Sequence, residues 1–210
     1  MLETYIIAFT TFFATVGPLD VASIFAALTV GTSRKKAKAM AFRGTAIATV
    51  ILLGFAFGGE VLLNTLGISL AALKVAGGIL LLLIAIDMVF ARTNGGVTTT
   101  DEETDEASTK QDISVFPVAT PLIAGPGAMG AAILLMAQSA DNHLHQAMVI
   151  AAIISITALT LCLLLLATRV QKIFGITGMH VITRVFGVLL AALAVQFMFD
   201  GLAASPLIHL

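Results

Sequence analysis

Two aspartates, Asp20 and Asp87, stand inside long apolar runs of this chain. A carboxylate at the centre of a bilayer costs about 2.5–3.5 kcal/mol on insertion scales, so it is protonated, paired or wet, and a functional role is the first expectation. Asp20 follows Gly17-Pro18 by two residues and has the chemistry to hold a substrate ammonium or carry a proton. Asp87 precedes Arg92 by little more than one turn, so pairing at the interface competes with a proton-coupling role. Gln196 is expected to bond between helices, and Asp200 to be solvated near a span end. Thr15, Thr29, Thr120 and Ser23 offer hydroxyls along a path, although such hydroxyls more often bond their own helix backbone. Of these, Thr120 is the candidate closest to the second proline break. His143 and His145 beside Asp141 form an H-x-H with no third fixed ligand, so a solvated loop is expected there rather than a metal site. The lone Cys162 excludes an intrachain disulfide and a CxxC redox pair.

The other chemistry resides in the backbone. Pro18 and Pro126 each fall near the middle of an apolar run, beside Gly17, Gly125 and Gly127. Proline removes one intrahelical hydrogen bond and clashes with the preceding turn, and glycine permits angles that other residues resist. Pro117 and Pro121 add two more interruptions upstream of Ala124-Gly125-Pro126-Gly127. A broken helix in lipid must bury its freed polar groups or line a wet cavity. The second half-helix then points free N–H groups and a positive dipole end at mid-membrane, where a substrate carboxylate is a natural ligand. The substrate-binding candidates are therefore Gly17, Pro18, Asp20, Thr120, Gly125, Pro126 and Gly127, and the proton-coupling candidates are Asp20 and Asp87.

These residues need membrane helices to position them. Of 210 residues, 59% are hydrophobic and 11% charged, against about 25% charged in soluble domains. The mean hydropathy is +1.05. Spans are expected near 4–30, 44–64, 70–91, 113–138, 147–168 and 183–203, each long enough for a hydrocarbon core of about 30 Å. Runs of Leu, Ile, Val, Ala and Gly without alternation favour helices over a transmembrane barrel. The opening MLETYIIAFTTFF has no basic n-region and reads as a first span rather than a signal peptide. Arg34, Lys35, Lys36, Lys38 and Arg43 follow span one, Arg92 and Lys110 follow span three, and Arg169 and Lys172 follow span five. The opposite segments are nearly free of Lys and Arg, so both termini are expected outside. Residues 93–111 form an acidic cytoplasmic linker between residues 1–92 and residues 112–210. The net charge of −1 gives no footprint for nucleic acid.

The two parts read as copies. A shift of 108 residues puts Gly17-Pro18 on Gly125-Pro126 and Leu66-Gly67-Ile68-Ser69 on Phe174-Gly175-Ile176-Thr177. One inserted residue later, Gly78 falls on Gly187 and Asp87 on Gln196. Three crossings per copy invert the second, so the expected architecture is an all-α integral membrane protein of two inverted three-helix repeats, with spans one and four broken at Gly-Pro. Secondary transporters use this plan to obtain two opposite-facing conformations.

The stretches NTLGISLAALKVAGGILLLLIAIDMVF (64–90), DISVFPVATPLIAGPGAM (112–129) and GMHVITRVFGVLLAALAVQFMFDGL (178–202) resemble the MarC family of inner-membrane proteins. The resemblance covers nearly the whole chain except the linker. It implies kinship with the LysE superfamily of exporters and a secondary transporter of small neutral amino acids such as alanine or glycine, with proton coupling. One departure stands out. The family's first span usually reads Asn-Pro where this chain has Gly17-Pro18, so a role carried by that amide does not transfer, and either backbone groups suffice or Asp20 compensates.

The expected function is thus amino-acid transport across a bacterial inner membrane, with the lipid bilayer and a small solute as partners and a homo-oligomer compatible with both. No GxxxxGK[ST] occurs and no acid–base constellation stands out, so neither ATP-driven transport nor an enzyme is expected, and no cofactor. A divalent-metal or other small-solute exporter is the first alternative, although the spans hold few carboxylates or histidines. A membrane scaffold is the second, and it would have no use for two mid-membrane breaks.

Overall fold

The computed structural model describes residues 1–90 and 112–205, and of residues 168–180 the backbone alone. The linker and Arg92, to which Asp87 was expected to pair, lie outside the described residues. Among those described, the chain is helical and has no strand. The helices are α1 (Leu2–Val16), α2 (Pro18–Leu28), α3 (Arg34–Leu66), α4 (Leu70–Phe90), α5 (Pro126–Gln138), α6 (His143–Leu165) and α7 (Ala167–Ala203), and an irregular segment Ser114–Ile123 precedes α5. Among the described residues five stretches are long and apolar enough to cross a membrane, with α1 and α2 together making one, and the bent pair Ser114–Ile123 and Pro126–Gln138 is a sixth when counted as one span.

Local signals in the sequence account for the ends. Ser33 caps α3 by accepting from the Lys36 N–H at 3.4 Å, and Asn142 caps α6 by accepting from the Leu144 N–H at 2.9 Å. Gly67, at φ 68°, closes α3, and the Ile68 N–H reaches back to the Leu63 carbonyl at 2.9 Å. The expected loop between spans five and six is not there. Leu166 alone separates α6 from α7, and the helical backbone runs through 169–182. The basic residues there gave that stretch a loop's polarity, but it holds no proline, and an isolated glycine costs a helix only about 1 kcal/mol.

Spans one and four form the centre. In the most apolar window of Leu2–Leu28, 67% of residues are buried, against 22% in α4 and in Val181–Ala203 of α7. Phe57, Leu83, Val188 and Phe199 are exposed on the outer helices, which is the surface a lipid solvent requires. Helix α3 packs on the Ser114–Ile123 segment and α5, α6 packs on α1 and α2, and α4 lies along α7. The α4–α7 seam is closed by glycines. A Cβ on Gly78 would sit 2.7 Å from the Ala194 carbonyl oxygen, and one on Gly187 would sit 3.2 Å from the Ala85 carbonyl oxygen. Gly201 meets Ala71 in the same way at 2.8 Å, so the two helices run antiparallel.

Candidate functional site

The first break is a tight kink. Gly17 adopts φ 57° and ψ 57°, a left-handed conformation that glycine reaches without strain. Its N–H donates to the Phe13 carbonyl at 3.0 Å, and its own carbonyl accepts from the Val21 N–H at 3.0 Å, so the chain turns but continues in nearly the same direction. Pro18 is the first residue of α2, where its missing N–H costs nothing. Gly17 and Pro18 are buried, and Asp20 is half-buried. Asp20 stands in the first turn of α2, an end that no side chain caps. A carboxylate in that turn is favoured by the positive end of the helix dipole.

The second break is a true change of direction. Phe116 and Thr120 are extended, as residues before proline prefer, and the Phe116–Pro117 and Thr120–Pro121 peptide bonds are cis. Wide-turn hydrogen bonds span the segment, from the Val118 N–H to Ile113 at 3.1 Å and from the Ala124 N–H to Ala119 at 2.8 Å. At Gly125 the chain bends by 56° into α5. Gly125 has φ −82°, so its need for glycine is one of space, since a Cβ would lie 2.7 Å from the Pro121 carbonyl oxygen. No side chain caps α5, and no acid occupies its first turn.

The fold packs the two broken spans against each other near their breaks. A Cβ on Gly127 would lie 3.9 Å from Cβ of Thr15 and 2.5 Å from Cδ1 of Ile84. Next to this contact, Pro126, Gly127, Gly130 and Leu134 of α5 face Gly77 and Leu80 of α4 across a cavity of about 10 Å³, room for about one water. Gly17, Pro18, Asp20, Thr120, Gly125 and Asp87 do not line it. The Thr120 hydroxyl lies 3.4 Å from the Val115 carbonyl, and Asp87 is half-buried on α4.

Most span hydroxyls are used by their own helices. Thr15 donates to Thr11 at 2.9 Å, Ser23 to Leu19 at 2.9 Å and Thr29 to Phe25 at 2.7 Å. Thr45, 5% exposed on α3, is an exception, because its hydroxyl has no partner. Nothing in the sequence around Thr45 signals this. Gln196 was expected to bridge helices. It instead donates to Asp200 at 2.7 Å, one turn on in α7, because both side chains stand on the exposed face. His143 Nδ1 lies 3.1 Å from Gln146 Oε1 on the exposed first turn of α6.

Outside the spans, Asp112 ties the start of span four to α3. It accepts from the Ser114 hydroxyl at 2.6 Å and the Ser114 N–H at 3.0 Å, and pairs with Arg43 at 3.2 Å. The Ser114 hydroxyl, then the Ser114 N–H, hold its carboxyl below the ordinary value against a small opposing effect of burial, and Arg43 adds the rest. Arg43 was expected only to orient the chain. Its ion pair needs Asp112 brought across from the other half.

The comparisons with known proteins likewise find integral membrane proteins. The model of the MarC family integral membrane proteins matches residues 2–205. A UPF0056 membrane protein of Methanocaldococcus jannaschii is 36% identical over 98% of this chain and 99% of its own length. The UPF0056 membrane protein YvbG of Bacillus subtilis is 32% identical over 96% of both chains. A relative from Archaeoglobus fulgidus is 33% identical over 96% of this chain and 93% of its own length. No solved structure matches. The match runs through both breaks and all six apolar stretches, and the chain belongs to the MarC family of integral membrane proteins.

Proposed function

We propose that this protein is a secondary transporter of small neutral amino acids, alanine- or glycine-like, and a carrier rather than an enzyme. It would work in the inner membrane of a bacterium, with both ends of the chain on the periplasmic face. The observation that carries this reading is the approach of Gly127 to Thr15, close enough that a Cβ on the glycine would touch it, which brings the two proline-broken spans together near their breaks. Breaks in spans related by a repeat, brought together at mid-membrane, are where secondary transporters hold their substrates.

The inverted repeat belongs to the same reading and has two supports. Exchanging the halves maps the packing of α3 on span four onto that of α6 on span one. It also maps the Gly78 contact with Ala194 and Met198 onto the Gly187 contact with Ala85 and Val89. Such reciprocal pairs are the mark of a two-fold relation.

The two helix ends at the centre differ in charge. Helix α2 carries Asp20 in its first turn, whereas α5 has no acid in its own and no cap. A substrate carboxylate would complete α5 through the Gly127 and Ala128 N–H groups. Asp20 would answer the ammonium or carry the coupled proton. The small cavity fits an occluded conformation that opens when α4 moves away from α5.

The test is uptake of labelled alanine and glycine by vesicles containing the purified protein, with and without a pH gradient. Wild type is expected to accumulate either solute, and folded Asp20→Asn to lose accumulation at least about tenfold, the scale on which a desolvated charge partner acts. Absence of uptake and of counterflow for every small neutral amino acid would sink the transport reading. Normal uptake and pH dependence in Asp20→Asn would remove Asp20 from the site.

A further inference from the structure

A second cavity lies away from the breaks, at the end of the bundle that carries the basic turn between α2 and α3. Its volume is about 490 Å³. Its two walls differ in kind. Thr29, Thr32, Arg34 and Lys38 make one, from the α2–α3 turn and the first turns of α3. Leu164, Leu165 and Leu166, with Phe25, make the other.

Among the described residues no acid answers the charges on the first wall. Arg34 and Lys38 stand one turn apart on one face of α3, and no acid lines the cavity among the described residues. The ion pair found among the described residues is that of Arg43 with Asp112, not one with Arg34 or Lys38. The N-terminal dipole of a 33-residue helix adds to the same positive field. The second wall runs from the core to the surface, since Phe25 and Leu164 are each 3% exposed. Leu165 is 36% exposed and Leu166 45%, so the leucines continue onto the lipid-facing surface. A soluble anion would use the cations and leave the leucines idle. An amphiphile with a phosphate beside an acyl chain uses both.

We propose that this cavity binds an anionic phospholipid, with its phosphate between Arg34 and Lys38 and the start of its acyl chain along Leu164–Leu166. Basic pockets between membrane helices recognise lipid phosphates in this way. The proposal does not depend on the transport reading, because neither break lines the cavity.

The experiment is native mass spectrometry of the detergent-solubilised full chain, titrated with phosphatidylglycerol and with phosphatidylcholine. Wild type is expected to bind phosphatidylglycerol about tenfold more tightly, the scale set by two basic side chains at a headgroup. Arg34→Gln/Lys38→Gln should lose that preference. Lys35→Gln/Lys36→Gln removes the same charge from neighbours that do not line the cavity, and should keep it. Both double variants should melt at the wild-type temperature in neutral detergent, since these side chains are exposed. If the first double variant fails to fold, Lys38→Gln alone should show a partial loss. Absence of a phosphatidylglycerol preference in wild type, or equal loss in both double variants, overturns the site. Stabilisation by inorganic phosphate that requires Arg34 and Lys38, without any lipid preference, would assign the cavity to free phosphate and overturn the lipid.

Discussion

Asp112 shows how one side chain joins elements far apart in the chain. Its carboxylate holds Ser114 at the start of span four and reaches Arg43 on α3. Because the folded carboxyl ionises below its ordinary value, its pairing adds stability above the ordinary carboxylate range. That share is lost as pH falls through the lowered value. The difference in Tm between wild type and Asp112→Asn is expected to be present near about pH 7 and to shrink steadily as pH falls below the ordinary carboxylate range. It should be small, since the Arg43 and Asp112 side chains are 69% and 49% exposed. A difference that is unchanged or grows on acidification would show that the carboxylate is not what ties the two elements. Thr45 sits one residue from Gly44, whose missing side chain lets the Ser114 carbonyl approach to 2.9 Å of the Cβ position. Its unpartnered hydroxyl is therefore close to the same junction.

At the scale of elements, α4 and α7 show what glycine does in a bundle without a hydrophobic driving force between helices. Their close approach depends on packing alone, so small residues at the crossing points decide the distance. A Cβ at Gly78 would sit 2.5 Å from Met198 Cγ and 2.7 Å from a backbone oxygen that cannot move aside. Gly54 on α3 has nothing within 4 Å of its Cβ position. Thermal unfolding of the purified protein should therefore separate the two. Gly54→Ala is expected to stabilise by about 0.5–1 kcal/mol through helix propensity. Gly78→Ala is expected to destabilise by about 1–3 kcal/mol through overpacking. Equal effects would mean that the seam is looser than described. The aromatic rings of Tyr5, Phe9 and Phe13 run in sequence down α1, and Phe13 meets Phe186 of α7 with centroids 4.0 Å apart. This row buttresses the helix just before Gly17, so the kink is held against a rigid neighbour.

For the whole molecule, the distribution of Lys and Arg predicts which way it faces. Basic residues gather after spans one, three and five, and membrane insertion retains such segments in the cytoplasm. A reporter active only in the cytoplasm, fused to the C-terminus, is expected to be silent, whereas the same reporter placed in the 93–111 linker should be active. The opposite pattern would reverse the orientation and place the Arg34–Lys38 cavity at the outer face.

The sequence by itself determined the solvent, the number of apolar stretches and the places where helices break. Lipid imposes length and apolarity on every span, and proline interrupts a helix wherever it falls within one, so both are local properties readable residue by residue. The family was legible for the same reason, since its motifs are continuous stretches of chain. Tertiary structure decided the rest. Gly127 lies against Thr15, Gly78 against Ala194, and Arg43 against Asp112, each pair joining residues far apart along the chain. Gln196 turned to its own helix because an exposed neighbour one turn away was the nearer partner. The basic turn after α2 became one wall of a cavity only because the leucines at the end of α6 were packed against it. Hydropathy and spacing fix what each helix needs, but which surfaces meet depends on the shape of all of them packed together.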